Sequence, residues 1–224
     1  MAGVSEEGAS GTPAGSPPTD SVSGAATPVE IADRWRAIAE AGHSGDEQVA
    51  RTALRDDDHV CRELALGALA RMHRLDDSDV AAALRDPLPS VRRRAAILSA
   101  ACSQVDLTGA LADQDDVVVE AAAWAAGEQA ALHLVPTLVR LATTAADALV
   151  REAAVAALGA IGSPEGLPAI LVACADKPAI RRRAVLALAP FDGHEVDAAL
   201  EAARHDRDWQ VRQAAEDVLP RSET

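Results

Sequence analysis

The 224-residue sequence contains no tyrosine and one phenylalanine, Phe191. A core without aromatic volume must be built from small side chains in close contact. Closely packed, alanine-rich helices supply such contacts, and a β-sandwich does not. Lysine is nearly missing too: Lys177 stands alone, and arginine provides the other bases. The three cysteines, Cys61, Cys102 and Cys174, are scattered and form no Cys-x-x-Cys spacing. That excludes a disulfide framework and a zinc ribbon. They read as small buried hydrophobes in a reducing compartment. No apolar run reaches the length of a membrane span. The first residues lack a basic stretch followed by an apolar one, so no signal peptide is expected and the cytoplasm is the default location. No Ser-His-Asp context, glycine-rich phosphate loop or close carboxylate pair is present at motif strength. The expectation is a protein that is not an enzyme and holds no cofactor or metal.

The formal net charge is -14. Such a chain repels phosphate backbones and disfavours non-specific nucleic-acid binding. Residues 1–28 hold Glu6, Glu7 and Asp20, with no base, among Gly, Ser, Thr, Pro and Ala. This composition cannot bury enough apolar surface to offset its ordering entropy. The segment reads as a disordered tail, with a tether or docking segment as its functional reading.

From Val29 to about residue 220 the apolar pattern is helical, and one motif recurs six times. Its copies start at Cys61, Val91, Val118, Val150, Ile180 and Val211, at intervals of 30, 27, 32, 30 and 31 residues. The first column is Cys, Val or Ile. The second is Arg62, Arg92, Val119, Arg151, Arg181 and Arg212. The fifth is always alanine: Ala65, Ala95, Ala122, Ala154, Ala184 and Ala215. Columns one, five and nine share one helical face. The constant alanine implies a backbone approach too close for a larger side chain. Asp58, Asp115, Asp147 and Asp208 stand three residues before the first column, where an N-cap belongs. An aspartate also precedes it by five in four copies (Asp56, Asp86, Asp113 and Asp206), and Asp176 lies one place later. A second set of apolar segments, from DEQVARTAL to HEVDAALEAA, supplies the other helix of each pair. In two of them Pro136 and Pro168 should bend the helix. Residues 29–41 read as a lone helix capping the stack, closed by Trp35.

These columns, clearest in DALVREAAVAALGAIG at 147–162, resemble the HEAT family, in particular the short HEAT-like repeats named for the phycobilin lyases. The resemblance spans roughly residues 44–219. It implies an all-α, right-handed α-solenoid of about six helix pairs. It further implies that the arginine column pairs with the aspartates near the turns, with one rung broken at Val119. The second helix of each pair should line the concave face, where columns three, four and seven point.

On that face the departures from the repeat stand out. Arg93 and Arg94 extend Arg92, Arg182 and Arg183 extend Arg181, and Glu120 and Glu152 lie between them. Trp124 occupies the variable seventh column of the middle repeat, like an interface anchor. Trp209 is expected to pack in a turn. The expected function is a monomeric scaffold binding a protein partner in the concave groove, through Arg93, Arg94, Glu120, Trp124, Glu152, Arg182 and Arg183. Two alternatives stand beside it: a modification factor like the phycobilin lyases, and a HEAT-like nucleic-acid-binding protein. Deoxyhypusine hydroxylases hold iron with repeated His-Glu dipeptides. His194-Glu195 is the single such dipeptide here and reads as the start of a helix.

Overall fold

The computed structural model describes residues 27–102 and 104–219. All regular structure among them is helical. α1 (Pro28–Ser44) opens the stack. Five full pairs follow: α2 (Glu47–Ala53) with α3 (His59–Arg71), α4 (Asp77–Ala83) with α5 (Pro89–Ser99), α7 (Val135–Thr144) with α8 (Ala148–Ile161), α9 (Leu167–Ala173) with α10 (Pro178–Ala187), and α11 (His194–Arg204) with α12 (Trp209–Val218). The remaining second helix, α6 (Asp116–Glu128), has no helical partner before it. The chain is an all-α solenoid. The tail reading of residues 1–28 lies outside the described residues except for its end. Thr27 caps α1, its Oγ1 accepting from the Glu30 amide at 3.3 Å while Glu30 accepts from the Thr27 amide at 2.7 Å.

The third repeat corrects the expectation of a helix at DLTGAL. Only a single 3-10 turn, Ala110–Ala112, forms there. The 27-residue interval is too short for a pair, and the shortening falls entirely on the first helix. Gln129 closes the gap: its Nε2 donates to the carbonyls of Ser99 (2.8 Å) and Cys102 (3.0 Å). The two prolines expected to bend helices instead begin them. Pro136 and Pro168 lie in the first turns of α7 and α9, where a missing N–H costs nothing.

The repeated columns do what their period requires. Every first-column and fifth-column residue is fully buried. Asp58, Asp115, Asp147 and Asp208 cap α3, α6, α8 and α12, each accepting an amide of the first turn. Each cap contributes about 1 kcal/mol. A further close backbone approach lies five residues beyond the constant alanine. A Cβ placed on Gly127 would stand 2.9 Å from the Ala157 Cα, and one on Gly159 would stand 2.6 Å from the Ala187 Cα. Gly42 of α1 meets Ala68 in the same manner, at 2.9 Å. α1 is therefore seated as a second helix in its own right, and Arg34 reaches Asp56 at 3.6 Å as the other second-column arginines reach theirs. Trp35 anchors it, Nε1 donating to Asp58 Oδ2 at 2.6 Å.

Along the turns runs the expected ladder. Arg62 meets Asp86 (2.7 Å), Arg92 meets Asp113 (2.7 Å), Arg151 meets Asp176 (2.8 Å) and Arg181 meets Asp206 (2.7 Å). Each arginine also donates to a carbonyl in the turn before its own helix. One fork thus ties three segments together. The rung at Val119 is broken, and the slot its partner would fill holds Ala145. Val119 is buried and Ala145 packs against the core, so an apolar pair replaces the ion pair.

Hydrogen bonds from Arg92, Arg151 and Arg181 hold Asp113, Asp176 and Asp206 below the usual carboxylate range. At Asp86 burial opposes the shift, but the bonds from Arg62 and the Leu88 amide outweigh it. A carboxylate depressed in the folded state binds protons more readily when unfolded, so stability rises with pH across that interval. Thermal midpoints followed by circular dichroism should be fully developed above about pH 5. They should fall as the pH drops through the unfolded aspartate value of about 3.9 toward the folded ones. A midpoint constant down to pH 3 would show that the ladder contributes nothing.

Candidate binding grooves

Successive second helices pack on one another without interruption from α3 to α12, whereas among the first helices only α7 and α9 make a comparable contact. The stack is tighter on the second-helix side, the side expected to be the inner, concave one. The ladder arginines point to the turns and are engaged there. They are removed as candidates for recognition, and the third, fourth and seventh columns remain.

Between α6 and α8 these columns form a groove of about 490 Å³. Its floor is alanine: Ala153, Ala156, Ala157 and Ala160. The floor is flat because Gly127 and Ala157 bring the two backbones together. Trp124 rises from one side, 44% exposed. Glu120, Glu128 and Glu152 surround it, with Arg183 closing the far end. Arg183 Nε lies 3.5 Å from Glu152 Oε1. A large apolar side chain left this open on an alanine floor is available for contact.

The expected site residues do not form one cluster. Glu120, Trp124, Glu152 and Arg183 share the α6–α8 groove. Arg93 and Arg94 line a separate groove of about 310 Å³ between α3 and α5, together with Glu63 and Arg71. Arg182 is exposed on α10. The two arginine pairs are therefore unequal. One arginine of the second pair is tied to Glu152, whereas among the described residues no carboxylate lies within ion-pair distance of Arg71, Arg93 or Arg94. Glu128 and Arg71 escaped the sequence reading because they lie past the ninth column, where the motif had been taken to end. Trp209 is a correction: it is 65% exposed at the first position of α12 rather than packed in a turn.

Other side chains offer little chemistry. Cys61 and Cys102 are buried and Cys174 half-buried, all as free thiols. Burial pushes the Cys174 thiol up to about 11; at Cys61 burial, then the neighbouring Asp56 and Asp58, do the same. Thiols so shifted are poor nucleophiles. His194 and Glu195 form the first turn of α11, as the start of a helix. Among the described residues no three His, Cys, Asp or Glu side chains converge as metal ligands. No helix there is long and apolar enough to cross a membrane.

Residues 106–179 match the family model described as HEAT repeats. No curated protein shows a significant match to the chain. Among solved structures, a designed armadillo repeat protein in complex with the peptide (KR)4 is similar. The two share 16% identity over 89% of this chain and 94% of that one, with a TM-score of 0.48.

Proposed function

We propose that this repeat solenoid is a scaffold that binds a protein partner along its inner face, with Trp124 as the central anchor. The observation that carries this reading is a half-open tryptophan standing over an alanine floor, in the middle of the stack and ringed by carboxylates. Tryptophan contributes rigid apolar area at low entropic cost. Anchors of this kind account for about 2 kcal/mol or more of a complex. The surrounding charges give the partner its orientation, because rim charges set register and approach more than affinity. Arg93, Arg94 and Arg182 extend the contact toward the two ends. The proposed role needs no catalytic group.

Affinity capture with the intact protein tests it. Trp124→Ala, with unchanged circular dichroism, is expected to weaken a captured partner by roughly 30-fold, the equivalent of about 2 kcal/mol. Arg93→Glu with Arg182→Glu is expected to slow capture mainly at low salt. Equal recovery of every partner by all variants would remove the inner face from the proposal.

A further inference from the structure

Among the described residues, the groove between α3 and α5 is where three arginines gather without an ion-pair partner. Arg71 and Arg93 are exposed, and Arg94 is half-buried. Two glycines make room for the guanidiniums to lie across the helices. A Cβ on Gly67 would stand 2.7 Å from Arg94 Nη2, and one on Gly42 would stand 2.5 Å from Arg71 Nη1. Any other residue at either position would push the arginine off the helix surface. Glu63 also lines the groove but stays beyond ion-pair distance of all three. Four ladder arginines have their aspartates, and Arg183 has Glu152. Arg55, Arg85, Arg140, Arg182, Arg207 and Arg212 also lack an ion pair among the described residues, but no two of them line one groove. In a chain of net charge -14, carboxylates are plentiful, and three unmatched guanidiniums around one groove suit an acidic occupant.

We propose that this groove is the docking site of the chain's own acidic N-terminal segment, residues 1–26. That segment carries Glu6, Glu7 and Asp20 and no base, three acids to the groove's three arginines. It joins the fold at Thr27, the cap of α1, and Ala39 of the same helix forms part of the groove wall. From Pro28 to Ala39 the helix advances about 16 Å, at about 1.5 Å per residue. An extended chain covers that distance in about five residues. Asp20 lies seven residues before Thr27, so it reaches the groove, and Glu6 and Glu7 have ample length beyond it. Tethering keeps these acids at an effective concentration in the millimolar range, which favours the segment over a free acidic peptide. Docked there, it competes with an acidic partner segment for Arg93 and Arg94. This inference stands apart from the reading of Trp124.

The experiment uses the full chain carrying Ser10→Cys and Cys174→Ser, labelled with a nitroxide, while Cys61 and Cys102 are protected by burial. Paramagnetic broadening of backbone amide signals reports where the segment lies. The expected result is broadening confined to α1, α3 and α5. It should be lost with Arg93→Glu/Arg94→Glu, and lost in 1 M salt, where the screening length is about 3 Å. Glu6→Lys/Glu7→Lys/Asp20→Lys cannot disturb the solenoid core and should abolish the broadening as well. Combining both sets of reversals should restore it. Broadening spread evenly over the surface, centred on α6 and α8, or unchanged by the charge reversals overturns the proposal. So does broadening that appears only between a spin-labelled copy and a separate isotope-labelled copy, which would place the segment on a second chain.

Discussion

Arg181→Val is expected to lower the stability of the solenoid by about 3 kcal/mol, the usual cost of breaking a largely buried ion pair from one side. Arg181 is 8% exposed and Asp206 16%. Its two forked bonds to Asp206, at 2.7 and 2.8 Å, and its bond to the Asp176 carbonyl, at 2.9 Å, would all be lost. Asp206 would keep its charge, its bond from the Asp208 amide and the weaker attraction of Arg207, but lose its ion-pair partner. For a fold of this size the thermal midpoint should fall by roughly 6–12 °C. The chain contains its own control. At Val119 and Ala145 both members of a rung are apolar, and the stack continues through them. Arg181→Val/Asp206→Ala copies that pair and should recover at least half of the loss, because removing both polar partners avoids an orphaned charge. Guanidinium unfolding of the four proteins measures the cycle. A double variant as unstable as the sum of the singles would mean that the rung acts through something other than the pair.

A comparable loss is expected from Gly159→Val. Replacing a mid-helix glycine normally improves helix formation by a few tenths of a kcal/mol up to about 1 kcal/mol. Here the new Cβ would stand 2.6 Å from both the Cα and the Cβ of Ala187, and 3.0 Å from its carbonyl oxygen. Those are backbone atoms of α10 or are fixed to them, so no side chain can rotate away. The helices must separate, which costs about 3 kcal/mol at the upper end of overpacking penalties. The matching control is Gly109→Val, whose Cβ would meet nothing within 4 Å. Urea unfolding should show a large drop in midpoint for the first and little change for the second. Equal midpoints would mean that α8 and α10 can slide apart freely.

Both predictions turn on features that the sequence showed unequally. The ladder was legible because its arginines recur at a fixed interval and its aspartates precede them at another. Even the broken rung at Val119 could be read. That Ala145 completes it could not, because a missing aspartate carries no signal until the two slots are known to face each other. The fifth-column alanines are fully buried, as a close approach requires. Gly127 and Gly159 bring a further close approach at the tenth column, Gly159 as the glycine of the Leu-Gly in the clearest copy of the motif. The missing helix of the third repeat was legible only as a short interval. Which of the two helices was lost depends on packing: α6 must stay to keep the second helices continuous, and the outer position can be bridged by a loop that Gln129 holds.

By itself the sequence determined the class and the period of the fold. Helical spacing, capping aspartates and a six-fold motif act over a few residues, and their meaning does not depend on distant parts of the chain. Only the tertiary structure decided how the exceptional residues group. Trp124 and Arg183 are 59 positions apart yet wall the same groove, whereas Arg94 and Arg183 hold the same column and do not meet. Column identity sets the face on which a side chain lies. Partnership across that face is set by how closely neighbouring helices pack and which carboxylate happens to stand opposite. Those are properties of the stack, and they leave one arginine pair tied in part to Glu152 and the other without a partner among the described residues.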